Sequence, residues 1–452
     1  MSLQLGALLI CIAVFAIGLY RNLNVGILLF AAAAAVGVGL ANMPLDDVLA
    51  GFPVDLMILL VGVTFFFGIA QVNGTVDRLI DAALQRVGHR RALLPLAFFA
   101  LTGAVASMGN PAAGLVVIPI GMNVANKQRV EPILMAVAMG TGMSAGGFAP
   151  TSTFGIIVAG TAESAAVILN PIVLFAVALA ANLTLLISAH LLWGRALLGS
   201  NARAEAEKSA ERTLIAAGIR AQSVRSGGSG GDSADVDAGS DRGSLAPMTM
   251  IQKITVLTLI TLVVVVIGAS VLDMNPDIGV LTFALASILI LIDPASSKAG
   301  ADKIDWATVL LVGGIITYVG VLQDIGTINM LGEYAASMSW PLLAALLLCL
   351  VAGLVSAFAS TIGMLAVLVP LAVPLISSAG LPGWAMMCAI AVCASIVDTC
   401  PFSSSGATMI ATTPDPHARP RLTKMLLRWG LSLVVVGPIA AIGLLIVPAM
   451  AL

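Results

Sequence analysis

Small polar residues interrupt the apolar sequence at two places in each half of this 452-residue chain. The four segments are Gly109-Asn110-Pro111, 146–153, Ser360-Thr361-Ile362 and 398–405. Proline removes a backbone donor and glycine weakens a helix, so we expect helices to break at these segments and to expose amide and carbonyl groups. Such groups cannot face lipid, and they must therefore line a cavity.

A cavity of this kind would suit an anion bound together with a cation. Amides at helix N-termini carry partial positive charge, and hydroxyls add further donors for carboxylate groups. The candidate anion ligands are Asn110, Pro111, Ser152, Thr153, Ser360, Thr361, Ser403 and Ser404. Oxygen atoms suitable for sodium are expected at Gly109, Asn110, Gly146, Gly147, Ser356, Thr361 and Asp398. The four segments contain no Arg, Lys or His, so anion recognition would depend on dipoles, hydroxyls and the co-bound cation.

Asp398 is the one ionisable side chain well inside a predicted membrane-spanning segment. Such groups are costly in lipid, and for this reason they are usually functional. Asp398 could cap the helix that follows the break, or it could bind a coupling cation or carry a proton. The corresponding position in the first half is Gly147, so any function of Asp398 would be restricted to the second half.

The composition indicates that lipid covers much of the surface. Hydrophobic residues make up 59% of the chain and charged residues only 10%, whereas globular domains contain about 25% charged residues. The formal net charge of −2 provides no basic patch for nucleic acid. The five cysteines lie in apolar segments and no Cys/His cluster is present in the sequence, which argues against a zinc module.

The apolar runs predict an all-α polytopic membrane protein. A bilayer core of about 30 Å needs roughly 20 apolar residues per crossing, and ten runs meet this requirement. They lie at about 3–20, 24–42, 54–72, 131–160, 166–194, 250–272, 277–292, 305–323, 383–413 and 425–448. Two further stretches, at about 92–125 and 340–379, are interrupted in the middle, so we interpret each as a re-entrant hairpin that returns to its own side.

The charges give an orientation and identify a linker. All 21 Lys and Arg residues fall in alternate loops of this arrangement, which predicts cytoplasmic basic loops, external termini and a bacterial-type inner membrane. Residues 196–247 are rich in Ala, Ser, Gly, Arg and Asp, a composition typical of a flexible linker. Residues 75–91 predict an amphipathic helix at the membrane surface.

The two parts on either side of this linker are related in sequence. A shift of 251 residues aligns a series of glycine, proline and serine positions, including Pro119 with Pro370, Ser144 with Ser395 and Ser152 with Ser403. Neighbouring shifts align Asp55 with Asp305 and Gln71 with Gln323. We therefore expect two repeats, 1–195 and 248–452, each with five membrane-spanning helices and one hairpin. Because five is odd, the repeats would be inverted, as alternating access requires.

These motifs resemble those of the ion-transporter superfamily, and within it the divalent-anion/sodium symporters and the MatC malonate or dicarboxylate carriers. The symporters carry Ser-Asn-Thr about nine residues before a proline at each hairpin tip. Here Asn110 precedes Pro119, and Ser360-Thr361 precedes Pro370, by that spacing. The resemblance implies one sodium site at Asn110 and the Gly146-Gly147 break, with Thr361 in the asparagine position of the second. It also implies an elevator motion and a homodimer.

The sequence thus predicts a secondary transporter, not an enzyme, that takes up a small dicarboxylate such as malonate or succinate. It would need no cofactor beyond Na⁺ or H⁺ as the coupling ion. An exchanger or proton-coupled carrier for another anion of the same superfamily is the closest alternative, and a channel is a third. An intramembrane protease is less favoured, because Asp398 has no second membrane aspartate, and the sequence holds no HExxH motif or Ser/His pair in a span.

We expect deletion of residues 205–240 to leave substrate uptake nearly unchanged, because the composition of this segment suits a tether. Uptake by the deletion variant and the full chain, compared at equal protein in the membrane, tests this expectation. A loss of uptake would identify the segment as a docking element.

Overall fold

The computed structural model describes residues 2–21, 23–87, 93–194, 248–271, 277–327, 330, 340–357, 361–377 and 380–451. Within these ranges the chain is helical, and its one β-bridge is isolated. The predicted all-α fold is therefore confirmed. The linker prediction for 196–247 and the candidate ligand Ser360 lie outside the described residues.

The first half contains ten described α-helices. They are α1 (Ser2–Arg21), α2 (Val25–Ala34), α3 (Leu45–Ala50), α4 (Val54–Val72), α5 (Thr75–Val87), α6 (Leu94–Ala106), α7 (Val117–Lys127), α8 (Pro132–Gly147), α9 (Thr153–Ser164) and α10 (Pro171–Trp193). A π-helical segment, Ala35–Leu40, continues α2, and a 3₁₀-helix, Pro111–Val116, precedes α7.

The second half repeats this order in the part of the chain that the structure describes. Its helices are α11 (Met250–Val271), α12 (Ile278–Ile292), α13 (Ala295–Ala301), α14 (Trp306–Asp324), α15 (Pro341–Ser356), α16 (Thr361–Ser377), α17 (Gly383–Ser395), α18 (Ser404–Ala411), α19 (Arg419–Ala441) and α20 (Val447–Met450). The short helices α3 and α13 each lie between the second and fourth helices of their own half. Neither was predicted from the sequence.

Four described helices are long and apolar enough to cross a membrane: α4, α10, α14 and the continuous stretch Arg419–Met450. The other apolar helical stretches are shorter, among them Leu3–Gly18 in α1 and Met250–Val266 in α11. The runs 131–160 and 383–413, each predicted as one interrupted span, form the separate pairs α8 with α9 and α17 with α18. The helices therefore end where the sequence placed the breaks.

The broken helices lie in the interior, and apolar side chains cover the outside. Every residue from 133 to 147 in α8 is buried, as is every residue from 385 to 395 in α17. By contrast, Leu191 at the end of α10 is 62% exposed and Leu444 is 76% exposed. Such large exposed apolar side chains suit contact with lipid, so the irregular backbone is kept away from the hydrocarbon.

Glycines bring helices of the two halves into reciprocal contact. A methyl group at Gly314 in α14 would overlap the carbonyl oxygen of Gly26 in α2. In the equivalent contact, a methyl group at Gly62 in α4 would lie 2.7 Å from the carbonyl oxygen of Gly279 in α12. The second helix of each half thus packs on the fourth helix of the other half without intervening side chains.

A second pair of reciprocal contacts lies at the C-terminal ends of α4 and α14. The side chain of Gln4 in α1 donates to the carbonyl oxygen of Ile325 at 3.1 Å. The side chain of Gln252 in α11 donates to the carbonyl oxygen of Asn73 at 3.2 Å. Contacts that exchange partners in this way are typical of two copies of one structure related by a two-fold axis.

We expect Gly314→Ala to lower stability by about 1–3 kcal/mol, because the added methyl group must separate α2 from α14. Gly268→Ala is the matched control, since no atom lies within 4 Å of a Cβ at that position of α11. It should change stability by less than about 1 kcal/mol. Thermal unfolding in detergent measures both. Equal midpoints for the two variants would contradict the close contact.

Candidate functional site

The first hairpin tip has a fixed backbone. Gly109 adopts a φ of +92°, a region that glycine occupies without strain. A Cβ there would also lie 2.9 Å from the ring of Phe67. Asn110 follows, and its side-chain oxygen accepts a hydrogen bond from the amide of Ala112 at 2.9 Å. Asn110 thereby caps the 3₁₀-helix that begins at Pro111, which fits the preference of asparagine for such positions.

Three hydroxyls of the first break hold this tip in place. They belong to Thr151, Ser152 and Thr153, and each donates at 2.8 Å to a carbonyl oxygen: Ser107, Ala106 and Gly109, respectively. The backbone amide of Thr153 also donates to Gly109, at 3.0 Å. Ser152 and Thr153, predicted as anion ligands, are fully buried and use their protons to satisfy freed carbonyl groups of the hairpin.

The end of α8 packs tightly on the same hairpin. A methyl group at Gly146 would overlap the carbonyl oxygen of Gly103 in α6, and one at Gly147 would lie 3.0 Å from the ring of Pro111. Only hydrogen fits at either position. Of the predicted ligand positions, Gly109 and Gly147 therefore lie beside Asn110 and Pro111 at the tip, whereas Gly146 packs on α6.

In the second half, a chain of side chains connects the hairpin to the break. The Thr361 hydroxyl donates to the Oδ1 atom of Asp398, and the Ser356 and Thr361 hydroxyl oxygens lie 3.0 Å apart. Because Thr361 has a single proton to donate, Ser356 supplies the proton of the second hydrogen bond. Asp398 thus connects the break to the hairpin, a contact that the first half makes with hydroxyls and carbonyls.

The carbonyl oxygen of Asp398 accepts hydrogen bonds from Ser403 and Ser405. Ser403 also accepts from the amide of Gly406 at 3.0 Å and is the N-cap of α18. The helix-capping function that the sequence left open for Asp398 is therefore wrong, because Ser403 occupies the capping position. Ser404 is exposed. Ser405 was missed as a site residue, although it stands beside two serines that were included.

One hydrogen bond joins the first tip to the other half. The side-chain nitrogen of Asn110 donates to the Oδ2 atom of Asp305 at 3.0 Å. Asp305 is the N-cap of α14 and also accepts from the amide and the hydroxyl of Thr308, at 3.1 and 2.7 Å. Asp305 was not predicted as a site residue. Its alignment with Asp55 in the sequence comparison of the two halves is a feature that could have pointed to it.

A cavity of about 180 Å³ lies beside this hydrogen bond. Its wall includes Gly109 and Asn110 of the tip, Thr64 and Gln71 of α4, and Lys303 from the turn before α14. The breaks themselves contain no Arg, Lys or His. The tertiary structure nevertheless places a lysine next to the first tip.

A third contact brings the second break against the first half. A methyl group at Gly140 of α8 would overlap the methyl group of Thr399. The hydroxyl groups of Thr399 and Ser144, which lies one turn from Gly140, are buried and have no hydrogen-bond partner within the described ranges. Two free hydroxyls therefore remain near the contact between the halves, where a polar ligand could bind them.

The described residues contain no group of three or more His, Cys, Asp or Glu side chains that could hold a metal ion. A cation bound here would depend on hydroxyl, amide and carbonyl oxygens with at most one carboxylate. Such ligands suit hard cations, and the side-chain oxygens of Ser356, Thr361 and Asp398 form one group of this type, linked by hydrogen bonds.

A comparison with protein families finds a match in the first part of the chain. Residues 1–147 match the family model described as the N-terminus of the dicarboxylate carrier protein MatC. The matched region runs from α1 to the end of α8, and it includes the first hairpin. The match confirms the resemblance to MatC-like dicarboxylate carriers, and together with the apolar helices it indicates a membrane transport protein. No curated protein matches the chain.

We expect Thr361→Val to lower stability by about 1–3 kcal/mol, because it leaves Asp398 without its hydroxyl donor at nearly unchanged side-chain volume. Thr184→Val is the matched control, since that exposed hydroxyl bonds only within its own helix. It should change stability by less than about 0.5 kcal/mol. Thr361→Ser should behave like the wild type. Thermal unfolding that does not distinguish Thr361→Val from Thr184→Val would contradict the assigned contact.

Proposed function

We propose that this protein is a secondary active transporter that takes up a small dicarboxylate, similar to malonate or succinate, together with a cation. The observation that carries the proposal is the pair of tip-and-break sites, one in each half, built on helices buried in the interior. The match to the MatC model over residues 1–147 supports the substrate class.

The arrangement of the two halves favours alternating access. Each half carries five predicted spans and one hairpin, and the reciprocal glycine and glutamine contacts support a two-fold relation between them. An odd number of spans makes this an inverted repeat, whose halves can exchange conformations around a site between them. We include in the proposal the elevator motion and the homodimer that the resemblance implies.

Carboxylate groups would bind at the N-termini of α9 and α18. Both helices begin directly after a break, at Thr153 and Ser404. Because the amide of Thr153 already donates to Gly109, the carboxylates would use the other amides of the first turns together with the helix dipoles. The hydroxyls of Ser144 and Thr399, which have no hydrogen-bond partner among the described residues, would add further donors. No arginine or lysine is needed at this position, because a co-bound cation would offset the charge.

The coupling cation would bind at one or both tips. The first site would use Asn110 with the backbone oxygens of Gly109, Gly146 and Gly147. The amide oxygen of Asn110 already accepts one hydrogen bond and retains a second lone pair. The second site would use Ser356, Thr361 and Asp398, which are already hydrogen-bonded to one another.

Proton coupling is the second candidate, and Asp398 is the observation that favours it. Its carboxylate lies in the break of a buried helix, where a group that binds and releases a proton could change the contact with Thr361. The first half has glycine at the equivalent position. A proton-coupled carrier or an exchanger would therefore use the second half for coupling and both halves for the anion.

Uptake of radiolabelled malonate and succinate by proteoliposomes tests the proposal. We expect saturable uptake that an inward sodium gradient accelerates, and at least a tenfold loss of gradient-driven uptake in Asp398→Asn. The control Asp324→Asn changes an exposed aspartate at the end of α14 and should transport like the wild type. Acceleration by a proton gradient alone would select the second candidate. Absence of dicarboxylate uptake under either gradient would contradict both.

A further inference from the structure

Lys303 is a cation beside the first hairpin tip that forms no ion pair among the described residues. The one ion pair there joins Arg421 to Glu131, far along the chain from Lys303. The adjacent Asp302 is exposed and is not paired with Lys303, and Asp305, two residues after Lys303, accepts hydrogen bonds from Asn110 and Thr308. The ammonium group of Lys303 is therefore not neutralised by a side chain of the described structure, although it shares a cavity wall with Asn110.

The backbone that carries Lys303 is held firmly against α4. A methyl group at Gly68 would lie 2.7 Å from the Cβ atom of Lys303 and 2.8 Å from the carbonyl oxygen of Gly300. The amide of Lys303 also donates to that same carbonyl oxygen at 3.0 Å. The position of the lysine stem is thus fixed, while the side chain itself is exposed and free to reach into the cavity.

The polar groups of the cavity wall favour an anion. The hydroxyl of Thr64 donates to the carbonyl oxygen of Leu60 at 2.7 Å, so its proton is not available to a ligand. The remaining side-chain donors with no partner in the described part of the chain are the ammonium group of Lys303 and the amide group of Gln71. A charged donor together with a neutral donor is a suitable pair for one carboxylate group.

The sequence of the other half has no lysine equivalent to Lys303. The position that aligns with Lys303 at the shift of 251 is Phe52, and the surrounding segment 45–55 contains Asp46, Asp47 and Asp55 but no Lys or Arg. The Lys303 cation is therefore specific to the first tip. A substrate that approaches or leaves this tip meets its positive charge.

We propose that Lys303 and Gln71 form a carboxylate subsite next to the first hairpin tip, which selects anions with a second negative charge. The inference depends on the proposed function, because its ligand is the transported dicarboxylate. On its way to or from the N-termini of α9 and α18, the dicarboxylate would place one carboxylate near Asn110 and pair the other with Lys303. A monocarboxylate gains nothing from the second contact, so the subsite determines specificity and leaves the conformational change itself unaffected.

Malonate uptake and equilibrium binding of malonate to the purified protein test the subsite. Lys303→Gln should raise KM and Kd for malonate about threefold to tenfold, the size expected for a partly exposed charge pair. The maximal rate and the inhibition by acetate should stay unchanged. Lys303→Arg should retain the wild-type KM. Higher ionic strength should weaken malonate binding to the wild type and have a smaller effect on Lys303→Gln, because salt screens exposed charges.

Lys298→Gln is the matched control, because Lys298 is exposed on α13 and is absent from the cavity wall. It should not change KM or the salt dependence. If the wild type binds and transports malonate while Lys303→Gln retains its KM, Kd and salt dependence, the subsite is wrong and the proposed function stands. If the wild type neither binds nor transports malonate, the proposed function and the subsite fail together.

Discussion

The structure depends on one constraint, that backbone groups released by a broken helix must find partners inside the protein. In the first half the hydroxyls of Thr151, Ser152 and Thr153 satisfy carbonyl groups of the neighbouring hairpin. In the second half Ser403 and Ser405 satisfy the carbonyl group of Asp398. Because hydroxyls of each break satisfy carbonyl groups in the interior, α8 and α17 can end there without exposing polar groups to lipid.

The same constraint explains why the two halves agree in scaffold and differ in chemistry. The glycine contacts between α2 and α14 and between α4 and α12 are reciprocal, and each brings two helix backbones close together. At the tips the halves differ. Asn110 reaches across to Asp305 of the other half, whereas Thr361 binds Asp398 within its own half. An equal framework with unequal tips fits the proposal that the two halves contribute differently to ion coupling.

Composition and spacing were sufficient to predict the helical fold and the places where α8 and α17 end. Each of these depends on local chemistry, because apolar runs form helices and clusters of glycine, proline and serine interrupt them. The short helices α3 and α13 escaped prediction, because six or seven residues of mixed character carry too weak a periodic signal.

The sequence by itself therefore determined which residues could approach the centre of the molecule, including Asn110, Thr361 and Asp398. Only the tertiary structure decided how their polar atoms are used. It directs the Ser152 and Thr153 hydroxyls to carbonyl groups of the hairpin, and it brings Lys303 and Asp305 beside a tip almost 200 residues away in the chain. The physical reason is that hydrogen-bond partners and cavity walls depend on packing between the halves, which no local pattern encodes.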